Sequence, residues 1–240
     1  MSTHIWQGDW RGRSPAGDIH RRARNVISPS GGIIRGKFPS RKNGRMVHHE
    51  GMLELDAIYL FETSPNIVRY REQPMTIHYP DGHRLRRYTP DFELLLVTGE
   101  TVLIEVKPTR FLEKEEIRHK LDCIEKHINK SSIPFVIITE NAIRQEPRLA
   151  NLRWIYHAAA RVPPTSAASQ VATSRHRERF PASIKTACEF LSTHNIEPFS
   201  LLLAGLLHCA LEAPVTFETS INISTETDHG WFWIAKEHGF

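Results

Sequence analysis

Three acidic side chains and a lysine stand at spacings that suit work on a phosphodiester. Asp91 follows Pro90 and opens the apolar run Phe92-Glu93-Leu94-Leu95-Leu96-Val97. Thr98-Gly99-Glu100 makes a turn, and Thr101 to Lys107 reads as a second strand that ends in Glu105-Val106-Lys107. Alternate residues of a strand share a face, so Glu105 and Lys107 point one way and Ile104 and Val106 the other. Pairing of the two runs as a hairpin can bring Asp91 and Glu105 together at one end of a sheet. Two carboxylates beside an ammonium can hold a divalent metal and set a cation near a phosphate oxygen, which is the equipment of phosphodiester cleavage. The same residues have a plainer reading. Asp after Pro is a common turn residue and Glu-x-Lys a common solvated strand face, so the flanking elements decide.

Those flanks supply a third acid. Glu50 to Glu62 reads as a helix with Leu53, Ala57, Leu60 and Phe61 on or near one stripe. Glu50 and Glu54 lie one turn apart on it, so a carboxylate from this helix can complete an oxygen-rich metal site with Asp91 and Glu105. Ser64-Pro65-Asn66 ends the helix; Ile67 to Gln73 and Met75 to Tyr79 are extended, Pro80-Asp81-Gly82 turns, and Leu85 to Thr89 precedes the two central strands. After Pro108, Ile117, Leu121, Ile124 and Ile128 mark a helix whose charges from Glu113 to Lys120 read as a solvated face. Ile133 to Thr139 reads as a strand buried on both faces and parallel to a neighbour. Asn141 to Gln145 and Leu149 to Ala160 are helical. The predicted class is α/β: a mixed sheet flanked by helices, an α/β/α nuclease-like core.

The chain has 240 residues, 40% hydrophobic and 24% charged, as expected of a soluble globular protein of one large or two small domains. No apolar stretch reaches membrane-spanning length and the amino terminus has no apolar signal core, so a cytoplasmic protein is expected. Cys123, Cys188 and Cys209 are scattered and show no metal-ligand spacing; the fourteen histidines are dispersed, and no zinc site is expected. Nor is there a phosphate-binding glycine loop of the GxxxxGK[ST] type. The net charge of +4 is unevenly spread: residues 1–49 hold ten Lys or Arg and two Asp, a balance of +8, leaving −4 on the rest. Residues 1–45 therefore read as a basic, glycine-rich flexible arm for a polyanion, with Arg41, Lys42 and Arg45 as expected DNA contacts; an ordinary solvated tail is the alternative. An endonuclease domain over 46–160 follows, then a linker over 161–175 where Pro163-Pro164 and a Ser/Ala run break periodicity. Residues 176–240 read as a small winged-helix-like domain: helical stripes at Ile184, Ala187, Cys188 and Leu191 and at Leu202, Leu203, Leu206 and Leu207, then strands at Val215 to Ile221 and Trp231 to Ile234.

Several of these runs together are similar to a known family. Glu50-Gly51-Met52-Leu53-Glu54, Ser64-Pro65-Asn66-Ile67-Val68, Arg71-Glu72-Gln73-Pro74, Tyr88-Thr89-Pro90-Asp91-Phe92 and Ile104-Glu105-Val106-Lys107 resemble the TnsA family, the endonuclease subunits of Tn7-like heteromeric transposases. The likeness spans residues 35–160 and continues more weakly to the end of the chain. It implies a restriction-endonuclease-like PD-(D/E)xK fold, hydrolysis at the 5′ ends of a transposon with Mg2+ (Mn2+ as a substitute), and double-stranded DNA at the transposon ends as substrate. A DDE transposase subunit (TnsB-like) and an AAA+ ATPase (TnsC-like) are the implied partners. The resemblance carries over Glu54 as helix carboxylate, Asp91 and Glu105 as strand ligands, Lys107 as the lysine and Gln73 as a supporting residue. Gly51 departs from the Ser that many relatives place before the Leu-Glu pair, which bears on the helix start. Two other readings stay open: a stand-alone restriction or repair nuclease, and a non-catalytic DNA-binding assembly subunit.

Overall fold

The computed structural model describes residues 20, 22–23, 34–131, 133–225 and 231–240, so most of the basic arm expected over residues 1–45 lies outside the described residues. Its final part corrects that expectation. Arg35–Ser40 (β1) and Arg45–Glu50 (β2) pair antiparallel, with Arg35 level with Glu50 and Ser40 with Arg45. Gly36 serves close packing: a Cβ there would lie 2.6 Å from the His49 ring.

Helix α1 (Met52–Thr63) starts later than the expected Glu50. Gly51, at φ 104, separates it from β2 with a backbone conformation that L side chains rarely adopt. Glu50 consequently stays on the strand, where its Oε1 accepts from Arg35 Nε at 3.0 Å. The expectation that Glu50 and Glu54 share a helix face is thereby corrected. The Glu54 carboxylate instead reaches back from the first turn and accepts from the Glu50 backbone N–H at 2.7 Å, one residue before Gly51.

Next come β3 (Ile67–Glu72), β4 (Ile77–Asp81), β5 (Arg84–Tyr88), β6 (Phe92–Leu96) and β7 (Thr101–Val106). Helices α2 (Thr109–Leu112) and α3 (Glu115–Ile128), strand β8 (Phe135–Ile138) and α4 (Glu140–Ile143) follow. A four-stranded sheet has the order β3-β6-β7-β8, antiparallel except for the parallel β7–β8 pair; β4 and β5 form a hairpin of their own. The α1 residue Phe61 lies 5.3 Å from the Phe92 ring and 5.8 Å from Tyr70, so α1 covers one sheet face. Leu103, adjacent to Ile104 on β7, points to the other face and packs with Leu121, Ile124 and Ile128 of α3 and with Tyr79 and Tyr88 of the hairpin. A mixed sheet with helices against both faces was legible from the element order, and so was the parallel strand.

From Arg144 onward the chain, with Glu62–Asn66, makes a second compact unit, separate from the unit that holds Ile67–Ile143. Helix α5 (Arg148–Ala158) belongs to this second unit, whereas the expected endonuclease domain ran to residue 160. Trp154 on α5 packs edge-on to Phe199 at 5.0 Å, and Asn151 holds the loop beyond Leu211 by donating to the Leu211 and Ala213 carbonyls and accepting from Val215 N–H. The stretch expected as linker over 161–175 contains α6 (Ser166–Arg175), capped by Thr165, whose hydroxyl accepts from Ala168 N–H. Its Ser/Ala composition carries no apolar stripe, yet Ala is the strongest helix former, and periodicity alone missed it. After α6 come β9 (Ala182–Ser183), α7 (Ile184–Leu191), α8 (Pro198–Leu203), β10 (Leu207–His208) and β11 (Ser220–Ile223). The sheet order is β10-β11-β9. Trp231 to Ile234, expected as a strand, is not one; Ile234 N–H and Ala235 N–H both donate to the carbonyl of the buried Phe240.

A buried ionic cluster ties the β1–β2 hairpin to β3. Glu72, 2% exposed, accepts from Arg45 through two parallel bonds of 2.9 and 2.7 Å, from Arg22 at 3.0 Å and from His48 N–H at 3.2 Å. Lys42 Nζ donates to the Phe61 and Ile67 carbonyls at 3.1 and 2.6 Å. Arg45 and Lys42, both expected on DNA, thus serve inside the fold, and Arg41 is half-buried. Breaking such a pair leaves a charge buried without its counterion, so Glu72→Gln is expected to cost about 3–5 kcal/mol in urea unfolding.

The same region sets the acid limb of stability. Burial is the largest cause lowering the pKa of His20, His48 and His49, with His48 brought down to about 4. Neither His48 ring nitrogen has a hydrogen-bond partner among the described residues. An unfolded imidazole titrates near 6.5, so the unfolded chain takes up protons first as pH falls. The contribution of these histidines is full above about pH 6.5 and is lost progressively as pH falls toward their folded values. Thermal melts between about pH 7 and pH 4 are expected to show a shallower acid decline for His48→Gln than for the native chain.

Candidate active site

The antiparallel pairing of Phe92 with Ile104 places Asp91, one residue before β6, level with Glu105 on β7. Asp91 is held there through its backbone and its side chain. Its carbonyl accepts from Gln73 N–H at 2.8 Å, and its Oδ2 accepts from Val106 N–H at 2.8 Å. Gln73 is buried at φ 46, a left-handed conformation uncommon outside glycine, and its own carbonyl accepts from Ala23 N–H. Gln73 thus meets Asp91 through its backbone N–H, which holds the Asp91 carbonyl.

Glu105 is 4% exposed, with its two oxygens held differently. Oε2 accepts from the Tyr88 hydroxyl at 2.6 Å, and Oε1 accepts from Lys107 Nζ at 3.2 Å. Burial raises the Tyr88 pKa, and the Glu105 charge raises it further, so the hydroxyl stays a donor. Asp91 is held well above the usual carboxylate range: burial is the largest cause, then the charges of Glu105 and Glu54, opposed by Val106 N–H and Lys107. Through that interaction Glu54, placed by its bond to Glu50 N–H at the start of α1, acts on Asp91. The structure thus brings together Asp91, Glu105 and Lys107, with Glu54 near enough for its charge to raise the Asp91 pKa, whereas Lys42 and Arg45 are engaged elsewhere.

An open cleft of about 530 Å³ exposes Asp91, Glu105 and Lys107; Tyr88, Arg87 and Lys120 also line it, while Glu54 is not among the lining residues. Lys120 was grouped by sequence with a solvated helix face, yet its Nζ lies 5.4 Å from the centre of the Tyr88 ring. Tyr88 had no assigned role either, although it stands in the same short run as Asp91. An aromatic hydroxyl three residues before an acid is a weak signal until the hairpin register is known.

Residues 64–140 match the family model described as TnsA-like endonuclease N terminal. The chain carries a TnsA-like endonuclease domain. The match includes Gln73, Tyr88, Asp91, Glu105, Lys107 and Lys120, and Glu54 lies before it. A TnsA-like domain implies a restriction-endonuclease-like fold, with which the mixed sheet and its flanking helices agree. No curated protein matches the chain.

Tyr88→Phe removes one hydroxyl and leaves a buried carboxylate oxygen without its donor. The substitution is expected to cost about 1–3 kcal/mol in urea unfolding.

Proposed function

We propose that this protein is a metal-dependent DNA endonuclease subunit of a Tn7-like transposase that hydrolyses phosphodiester bonds at the 5′ ends of the element. The observation that carries the reading is the meeting of Asp91 and Glu105 in an open cleft, with Lys107 at hydrogen-bond distance from Glu105 and the Glu54 charge acting on Asp91. The charges of Glu105 and Glu54 raise the cost of ionising the buried Asp91, and Lys107 offsets only part of it. A hard divalent cation would relieve that repulsion, and a donor set made of carboxylate oxygens suits Mg2+, with Mn2+ as a substitute. Asp91, Glu105 and Glu54 are the residues that would hold it. When bound, such an ion activates water and stabilises charge on the phosphate.

The chain's own groups complete the site. Tyr88 and Lys107 fix the Glu105 carboxylate, and Val106 N–H fixes that of Asp91. Lys107, a compact cation on the cleft wall, orients the attacking water or neutralises charge that develops on the phosphoryl oxygens. Arg87 and Lys120 add positive charge along the cleft for the flanking phosphates. Against a purely structural assembly subunit stands the excess of negative charge here, which a sheet edge does not need for its own stability. A DDE transposase subunit and an AAA+ ATPase belong to this reading through the resemblance of the motifs.

Asp91→Asn and Lys107→Ala are each expected to lower cleavage of a transposon-end duplex in Mg2+ by at least about a hundredfold while the fold persists. Native rates in both variants would remove the site assignment. Cleavage of defined sites by the purified chain without a transposase partner would favour a stand-alone nuclease instead.

A further inference from the structure

The packing of α3 on the β4–β5 hairpin assembles a second group of metal-ligating atoms, away from the carboxylate cleft. His119 and Cys123 lie one helical turn apart on α3 and share a face. Asp81, the last residue of β4, meets them. Its Oδ1 stands 2.9 Å from His119 Nε2, Cys123 Sγ stands 3.7 Å from the same nitrogen, and the three ligand atoms lie within 4.8 Å of one another. Tetrahedral zinc, with bonds of about 2.0–2.2 Å to nitrogen or oxygen and about 2.3 Å to sulfur, needs donors roughly 3.3–3.6 Å apart. Both pairs that include the imidazole are within about half an ångström of that separation.

The surroundings favour a ligand set over a chance cluster. Arg86 Nε donates to Asp81 Oδ2, so the carboxylate is already oriented with Oδ1 toward His119. The nearby Lys126 ammonium is engaged by Asp122 at 2.9 Å. Asp81 is partly buried, His119 exposed and Cys123 partly buried, so an ion can enter from solvent.

We propose that Asp81, His119 and Cys123 form a surface site for a borderline-soft divalent cation of the zinc class, which braces the β4–β5 hairpin against α3. An imidazole nitrogen and a thiolate sulfur select such an ion and disfavour Mg2+, which takes hard oxygen donors. Binding releases the Cys123 thiol proton to solvent, uses His119 in its neutral form and leaves a fourth position to water. The braced elements carry Arg87 and Tyr88 on β5 and Lys120 on α3, so an ion here holds two walls of the carboxylate cleft at a fixed spacing. The site shares no ligand with Glu54, Asp91 or Glu105, and its existence does not depend on the nuclease reading.

Titration of the full-length chain with Co2+, a spectroscopic substitute for zinc, tests the proposal. A thiolate-to-cobalt charge-transfer band should grow to one ion per chain and be displaced by Zn2+. Cys123→Ser should abolish the band, and His119→Ala should weaken Co2+ binding by at least about tenfold. Cys188→Ser and Asp91→Asn should leave both unchanged, the latter separating this ion from any held in the cleft. Circular dichroism of each variant checks that the fold survives. Absence of the band in the native chain, or its persistence in Cys123→Ser, overturns the proposal.

Discussion

Mutual repulsion among carboxylates is the constraint around which the amino-terminal unit is organised. Asp91 and Glu105 stand level across β6 and β7, and Glu54 adds its charge from the start of α1. Left to themselves, such groups would separate or take up protons. The fold holds them with a backbone N–H on Asp91, a phenol and an ammonium on Glu105, and another backbone N–H on Glu54. Each contact fixes the orientation of a carboxylate. On the proposed reading these held carboxylates would receive a cation, and with it a phosphate.

Support for this arrangement runs through the end of β3. Glu72 gathers Arg45 and Arg22 in the interior, and the next residue, Gln73, donates its backbone N–H to the Asp91 carbonyl. The β1–β2 hairpin therefore reaches the site through Glu72, the last residue of β3, and Gln73 directly after it. This explains why the arginine of β2 is buried, and why composition misjudged it. Counting basic residues over 1–49 registers charge without registering which charges an interior carboxylate has already neutralised.

The cleft also recruits side chains from elements that look unrelated in the sequence. Tyr88 arrives from the β4–β5 hairpin and Lys120 from α3, and the packing of those two elements on Leu103 brings both beside Glu105. The contact that places Lys120 near Tyr88 places Asp81 near His119 and Cys123 as well. Hairpin and helix thus meet along a seam that borders the carboxylate cleft on one side and carries the imidazole–thiol group on the other.

By itself the sequence determined the helices and strands around Asp91, Glu105 and Lys107, because period-two and helical apolar patterns are local and strong there. It also determined that the two acids could face one another, because strand alternation and a short turn leave few registers. It could not decide where α1 begins, since Gly51 and the Arg35–Glu50 ion pair set that boundary from outside the helix. Nor could it decide the fates of Arg45, Lys42, Tyr88, Lys120 or Cys123. Each of these depends on a partner 17 to 42 positions away, and only the tertiary fold brings such partners within reach.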